Sequence, residues 1–287
     1  MISFRPQQFR KIAIIGVGLL GGSIGLAVKK QKIASEVVGL SQHQASLDAA
    51  LSLGAIDQGT QDLKQAVAHA DLVILSTPVN IIQGMLSNMG PFLKRHCIVT
   101  DVGSTKSSIV STAEKHLPDF VYYVGSHPLA GSEKRGVESA RPDLFEQSIC
   151  LVTPTEETNR QALERLKNFW QSLGAQVKTL SPQEHDGILA TISHLPHVVA
   201  YTLMDSIPKE HLAYAAGGLK DLTRIASLSP QMWNNICINN SKNIIKAIDE
   251  MVEKLGLIRK SIATNDHKSL ITQFAAAKTK RDELGAS

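Results

Sequence analysis

The chain is poor in the features that would assign it to several large classes. Only three cysteines occur among 287 residues, Cys97, Cys150 and Cys237, and no two form a Cys-x-x-Cys pair. So few scattered thiols build neither a disulfide framework nor a cysteine zinc site, and they suit a reducing, cytoplasmic setting. Aromatic residues make up 5% of the chain. The basic residues are scattered rather than gathered into a run with aromatics between them, so nucleic acid is not an expected partner. Met1 to Lys11 holds Arg5 and Arg10 but no apolar core of signal-peptide length. The first apolar run, Ile12 to Val28, is 17 residues long, contains Gly16, Gly18, Gly21, Gly22 and Gly25, and includes a Gly-x-x-x-Gly at Gly21 and Gly25. A membrane span needs about 20 apolar residues, and glycines this dense suit a turn. No membrane partner is expected.

What is present points to a globular protein. The composition is 43% hydrophobic and 20% charged with a net charge of +4, enough apolar content for one large domain or two ordinary ones. From Lys11 to about Leu180, short β-branched runs alternate with helix-period segments. The runs are KIAIIG, VVGL, DLVILS, CIVTDVG, FVYYVG, SICLVT and AQVKTL. Near-continuous apolar strands separated by helices predict a Rossmann-type α/β domain with a mostly parallel sheet. Asn80 is the expected N-cap of one helix, with Pro91 beyond its end, and Thr105 opens another. After Leu180 no strand-like run follows. Ser181-Pro182-Gln183-Glu184 is a capping box that opens a long helix. Ser229-Pro230 to Leu255 and Asn265 to Leu284 read as further helices. The expected division is therefore 1–180 for a dinucleotide-binding domain and 181–287 for an all-helical domain. The final Gly285-Ala286-Ser287 is given no role.

The chemistry is concentrated in five places. Gly16-Val17-Gly18-Leu19-Leu20-Gly21 follows a predicted strand and opens a helix, the context in which a Gly-x-G-x-x-Gly binds a dinucleotide. The first glycine permits the turn, the second lets a pyrophosphate approach, the third lets helix and strand pack, and the helix N-terminus attracts the anion. Where an acid would bond the ribose of NAD, the chain reads Gly39-Leu40-Ser41-Gln42-His43. With neither a carboxylate nor an arginine there, NAD and NADP both remain open. Asp101 to Lys106 lies at the carboxyl end of a predicted strand, where open α/β sheets bind ligands. Ser126 to Glu133 places His127 in a loop just past another strand. His194-Leu195-Pro196-His197, with His185-Asp186 before it, reads either as metal ligands or as histidines bonding locally around a helix that Pro196 ends or kinks. The second reading is favoured because no third ligand has firm spacing. Lys220 and Arg224 are four residues apart and share one helix face, where they form either a solvated basic patch or an anion clamp.

Taken together, GVGLLGGS, DVGSTK, SHPLAGSEKRG, SHLPH and GGLKDLTRIASLSPQMW resemble the prephenate/arogenate dehydrogenase family of tyrosine biosynthesis, over residues 11 to about 280. The resemblance implies a helical domain that forms a homodimer, and an NAD- or NADP-dependent oxidative decarboxylation of prephenate, arogenate or both. It implies that His127 accepts a hydrogen bond or the proton from the substrate hydroxyl and that Ser104 orients His127 near the nicotinamide. Arg224 is implied to grip a substrate carboxylate, with Lys220 beside it where relatives often carry arginine, and His194, His197 and Trp233 to line the substrate pocket. The implied cofactor-binding set is Gly16, Gly18, Leu19, Gly21, Ser41, Ser76, Asp101 and Ser104, with no metal. Two rivals share some of these features: a two-domain dehydrogenase of the β-hydroxyacid or imine-reducing kind, and a nonenzymatic dinucleotide-sensing dimer.

Overall fold

The structure is a computed structural model and describes residues 8–131 and 136–284. Ser132 and Glu133 of the His127 motif and the tail 285–287 lie outside the described residues. The chain begins with β1 (Phe9–Ile15), α1 (Leu19–Lys30), β2 (Ala34–Leu40), α2 (Gln44–Ser52), β3 (Gln58–Thr60) and α3 (Leu63–Val67). It continues with β4 (Leu72–Leu75), α4 (Val79–Met89), β5 (Ile98–Asp101), α5 (Ser107–His116) and β6 (Tyr122–Tyr123). These six strands form one sheet in the order β3-β2-β1-β4-β5-β6, parallel at every pairing. The side-chain period of two explains why the strands read as continuous apolar runs. Ile12 and Ile14 of β1 with Leu72 and Ile74 of β4 enter the core on one face of the sheet. Ala13, Ile15, Val73 and Leu75 enter the core on the other. The strand order reverses direction between β1 and β4, and a ligand crevice opens beyond the carboxyl ends of the strands at such a switch.

A second, three-stranded sheet holds β7 (Gly125–Pro128), β8 (Ile149–Thr153) and β9 (Gln176–Thr179), with α6 (Arg160–Ser172) between β8 and β9. β7 runs antiparallel to β8, so His127 sits opposite Leu151 within a strand. The expected loop histidine is a strand residue; Gly125-Ser126-His127-Pro128 is too polar to read as one. Asn80 also corrects its expectation. It stands inside α4, whose N-cap is Pro78, and its Oδ1 accepts from Asn235 Nδ2 at 3.1 Å. Thr105 precedes α5, whose N-cap is Lys106.

From Pro182 onward the described chain is helical: α7 (Pro182–Leu189), α8 (Leu195–Asp205), α9 (Gly217–Thr223), α10 (Pro230–Asn239), α11 (Ser241–Ala263) and α12 (His267–Leu284). The Ser181–Glu184 capping box forms in both directions. Pro196 neither ends nor sharply divides the helix, because a π-helical turn at Ala190–His194 joins α7 to α8. The widened turn accommodates a proline that lacks the N–H for an α-helical bond. The joined stretch Pro182–Asp205 is long and apolar enough to cross a membrane, yet its buried His185 and Asp186 are hydrogen-bonded to His127 of β7 and to Lys106 and Ser107 at the start of α5. The run expected to be one helix from Pro230 is broken at Asn240 into α10 and α11.

Candidate active site

The glycine loop has the shape its sequence implies. Gly16 adopts φ +96°, and a Cβ there would meet the Ser76 carbonyl oxygen at 2.6 Å. A Cβ on Gly21 would strike the Gly16 carbonyl oxygen, whereas one on Gly18 meets nothing within 4 Å. Gly16 and Gly21 thus permit close packing, and Gly18 leaves room above the start of α1. No side chain caps that helix and no acid occupies its first turn, so its free N–H groups are open to an anion. The buried Thr77 hydroxyl beside the loop has no hydrogen-bond partner among the described residues. These features fit a dinucleotide. Ser41 lies at the end of β2, where its Oγ accepts from His43 N at 3.2 Å.

A cavity of about 420 Å³ joins the two halves of the chain. Gly18, Leu19, Ser76, Ser104 and His127 line it from the nucleotide half. Ser229, Met232, Asn235 and Ile236 line it from the helical half. Asp101 is not on this wall. It is fully buried, ion-paired with the equally buried Lys106, and accepts from Tyr123 Oη at 2.7 Å and from Gly103 N at 2.8 Å. Its expected cofactor contact is therefore replaced by an internal role, holding the β5–α5 loop that carries Ser104. Lys106 Nζ also donates to the Ser126 carbonyl at 2.8 Å, tying that loop to β7.

Alternation along β7 buries Ser126 and aims His127 at the opposite face, toward α7 and the cavity. His185 is a ring partner of His127, and Ser104 lines the same cavity as His127. His127 Nδ1 lies 2.9 Å from His185 Nε2, and His185 Nδ1 lies 2.9 Å from Asp186 Oδ1. Burial, His185, Lys106 and His194 hold the His127 pKa well below the ordinary imidazole range, so the ring is neutral and able to accept a proton. Burial likewise lowers His185, against the raising effect of Asp186. Burial opposes ionisation of Asp186, but hydrogen bonds from His185, Ser107 and the Lys106 and Ser107 backbone outweigh it and hold the carboxyl below its usual range.

His194 and Trp233 are buried, and neither His194 Nε2 nor Trp233 Nε1 has a hydrogen-bond partner among the described residues. Their rings meet edge to face with centroids 6.0 Å apart, and His197 stacks on Trp233 at 3.7 Å. Burial lowers the His197 pKa, and the nearby positive charge of Arg224 lowers it further. The structure thus brings Arg224 near the His194–Trp233–His197 row. Arg224 and Lys220 themselves are exposed, and neither lines the cavity in the single chain. Among the described residues no group of three His, Cys, Asp or Glu side chains could hold a metal ion.

The sequence left His185 and Asp186 as either metal ligands or locally bonded residues, favoured the second reading, and gave them no part in the site of His127. A signal for their true setting was available. Pro182, His185, Asp186 and Leu189 recur at helical spacing after a well-defined N-cap, and they form the buried face of α7.

Two family descriptions match the chain: "Prephenate dehydrogenase, nucleotide-binding domain" over residues 24–179 and "Prephenate dehydrogenase, dimerization domain" over residues 181–276. The chain belongs to the prephenate dehydrogenase family. It is 39% identical to the prephenate dehydrogenase of Bacillus subtilis, over 97% of this chain and 77% of the relative. The crystal structure of Aquifex aeolicus prephenate dehydrogenase with hydroxyphenyl propionate and NAD+ superposes with a TM-score of 0.90 at 32% identity, covering 98% of this chain and 99% of that one. The arogenate dehydrogenase of Synechocystis superposes with a TM-score of 0.82 at 26% identity, covering 96% and 99%. The chain is an oxidoreductase with a Rossmann-type nucleotide fold that takes NAD or NADP.

Proposed function

We propose that this chain carries out the NAD(P)-dependent oxidative decarboxylation of prephenate, arogenate or both, in the cytoplasm and as a homodimer. The observation that supports this most directly is the single cavity walled by the glycine loop, His127 and α10. Bound NAD(P)+ supplies a two-electron acceptor. Gly16, Gly18, Leu19, Gly21, Ser41, Ser76 and Ser104 hold it, with Thr77 as a further polar contact. The neutral imidazole of His127 takes the proton of the ring hydroxyl as the C–H bond at the same carbon breaks. Once carbon dioxide has left and the ring is aromatic, the proton returns to the phenolic oxygen, so no outside acid is required.

His194 and Trp233 offer their unpartnered N–H groups to substrate oxygens, and Arg224 binds a carboxylate at the outer end of their row, where its planar fork can pair twice. Lys220 adds positive charge nearby. The apolar residues that the single chain leaves exposed on the helical half, among them Ile238, Ile245, Val252 and Leu255, are buried against a second copy. We divide the two functional halves at residue 180.

Initial rates of reduced-nicotinamide formation test this reading, with prephenate and arogenate each paired with NAD+ and NADP+. At least one pairing is expected to turn over, and His127→Asn is expected to be slower by roughly 10² to 10⁴. Absence of cofactor reduction in all four pairings refutes it.

A further inference from the structure

The ring nitrogens of His127 are in a chain of hydrogen bonds that leaves no freedom in where the proton sits. The chain starts at Asp186, whose Oδ1 accepts from Lys106 N at 2.7 Å and whose Oδ2 accepts from Ser107 N at 2.9 Å. Both amides belong to the N-terminus of α5, which favours a negative charge. An ionised carboxylate only accepts, so His185 Nδ1 must donate to it. A neutral imidazole has one N–H, so His185 Nε2 is left as an acceptor. The 2.9 Å contact between His185 Nε2 and His127 Nδ1 then requires His127 to donate from Nδ1. The remaining nitrogen, His127 Nε2, is left with its lone pair.

A neighbouring network sets the opposite state on another ring. Asn240 Nδ2 donates to the Asp186 carbonyl at 2.8 Å, and Asn240 Oδ1 accepts from Asn243 Nδ2 at 2.8 Å, which fixes the orientation of the amide. The second Nδ2 proton of Asn240 faces His194 Nδ1 at 3.1 Å. His194 Nδ1 is therefore an acceptor, and its proton is on Nε2.

We propose that His185 and Asp186 are positioning residues that lock His127 in the tautomer able to accept a proton at Nε2, while Asn240 locks His194 in the tautomer able to donate one. The inference rests on the reading of His127 as the proton acceptor. It adds that the helical half, through α7, decides whether the imidazole carried by the nucleotide half is in its working form. The Lys106 charge disfavours a cation at His127, and behind the imidazole pair Asp186 places a negative charge. That charge offsets the positive charge arising when His127 takes the proton.

Nitrogen-15 spectra of the imidazoles in the full-length chain test the assignment without substrate. The His127 signals are identified by their loss in His127→Asn, and the ring is expected to be protonated on Nδ1. Asp186→Ala removes the acceptor of the His185 Nδ1 proton, and is expected to release the His127 proton to Nε2. Its kcat should fall roughly 10²-fold, with KM for both substrates changed less than about threefold. Because Asp186 also caps α5, two variants of His185 serve if Asp186→Ala does not fold. His185→Gln retains a carbonyl that can accept from His127 Nδ1 and should keep kcat within about tenfold of the parent, whereas His185→Leu should lose roughly 10²-fold. A His127 ring protonated on Nε2 in the unaltered chain overturns the proposal whatever the activity. So does a folded Asp186→Ala or a His185→Leu with parental kcat. If the unaltered chain reduces neither cofactor with either substrate, the functional reading fails, and the spectra still decide the tautomer.

Discussion

Acidification should weaken this fold through His194 in a window set by the site itself. Burial is the main cause that lowers its pKa from 6.5 to about 4; Asp186 opposes the shift, while His185 and His197 add to it. Between these two values the unfolded chain binds a proton at this position that the folded chain refuses. Stability therefore falls as the pH drops through the window, and the contribution stops changing below the folded value. Each pKa unit corresponds to about 1.4 kcal/mol, so the whole window is worth about 3 kcal/mol. Urea unfolding of the parent and of His194→Gln across this pH range reads the effect, because His127 and His185 titrate in both proteins and His194 is the smallest of the causes acting on His127. Protein concentration must be held constant, since association stabilises any dimer. The parent is expected to lose about 3 kcal/mol more than the variant between neutral pH and pH 4. Parallel pH dependences would show that His194 titrates normally in the fold and would refute the buried, neutral assignment.

Three further outcomes follow from the geometry. Lys106→Met leaves the fully buried Asp101 without its cation and should cost roughly 3 to 5 kcal/mol, with much of that recovered in Lys106→Met/Asp101→Leu; thermal unfolding measures both. Gly18→Ala faces open space and should fold with parental stability while weakening cofactor affinity by calorimetry, whereas Gly21→Ala collides with the Gly16 carbonyl and should lower stability as well. Arg224→Ala should raise the KM for substrate by the equivalent of roughly 2 to 5 kcal/mol with little change in cofactor binding, and an unchanged KM removes Arg224 from the site.

Much of the nucleotide half was legible because its signals are local. The strand–glycine loop–helix sequence from Lys11 to Lys30 fixes its own conformation through sterics, and the apolar runs of β1, β4 and β5 can only be strands buried on both faces. The capping box at Ser181 likewise marks a helix start using four adjacent residues. β3 and β7 were not legible. Gln58–Thr60 and Gly125–Pro128 lack apolar runs and become strands only because β2 and β8 lie beside them to receive their hydrogen bonds.

The sequence by itself determined the fold class, the glycine loop and the residue types that do the chemistry, since each depends on neighbours within a few positions. Only the tertiary structure decided the state of those residues. His127 and His185 are 58 positions apart, and nothing local says that their rings meet. Asp101 has the position of a cofactor ligand, yet Lys106 and Tyr123 claim it inside the protein. A proton's location depends on which acceptor is within about 3 Å, and that distance is set by how α7 packs against β7 and α5.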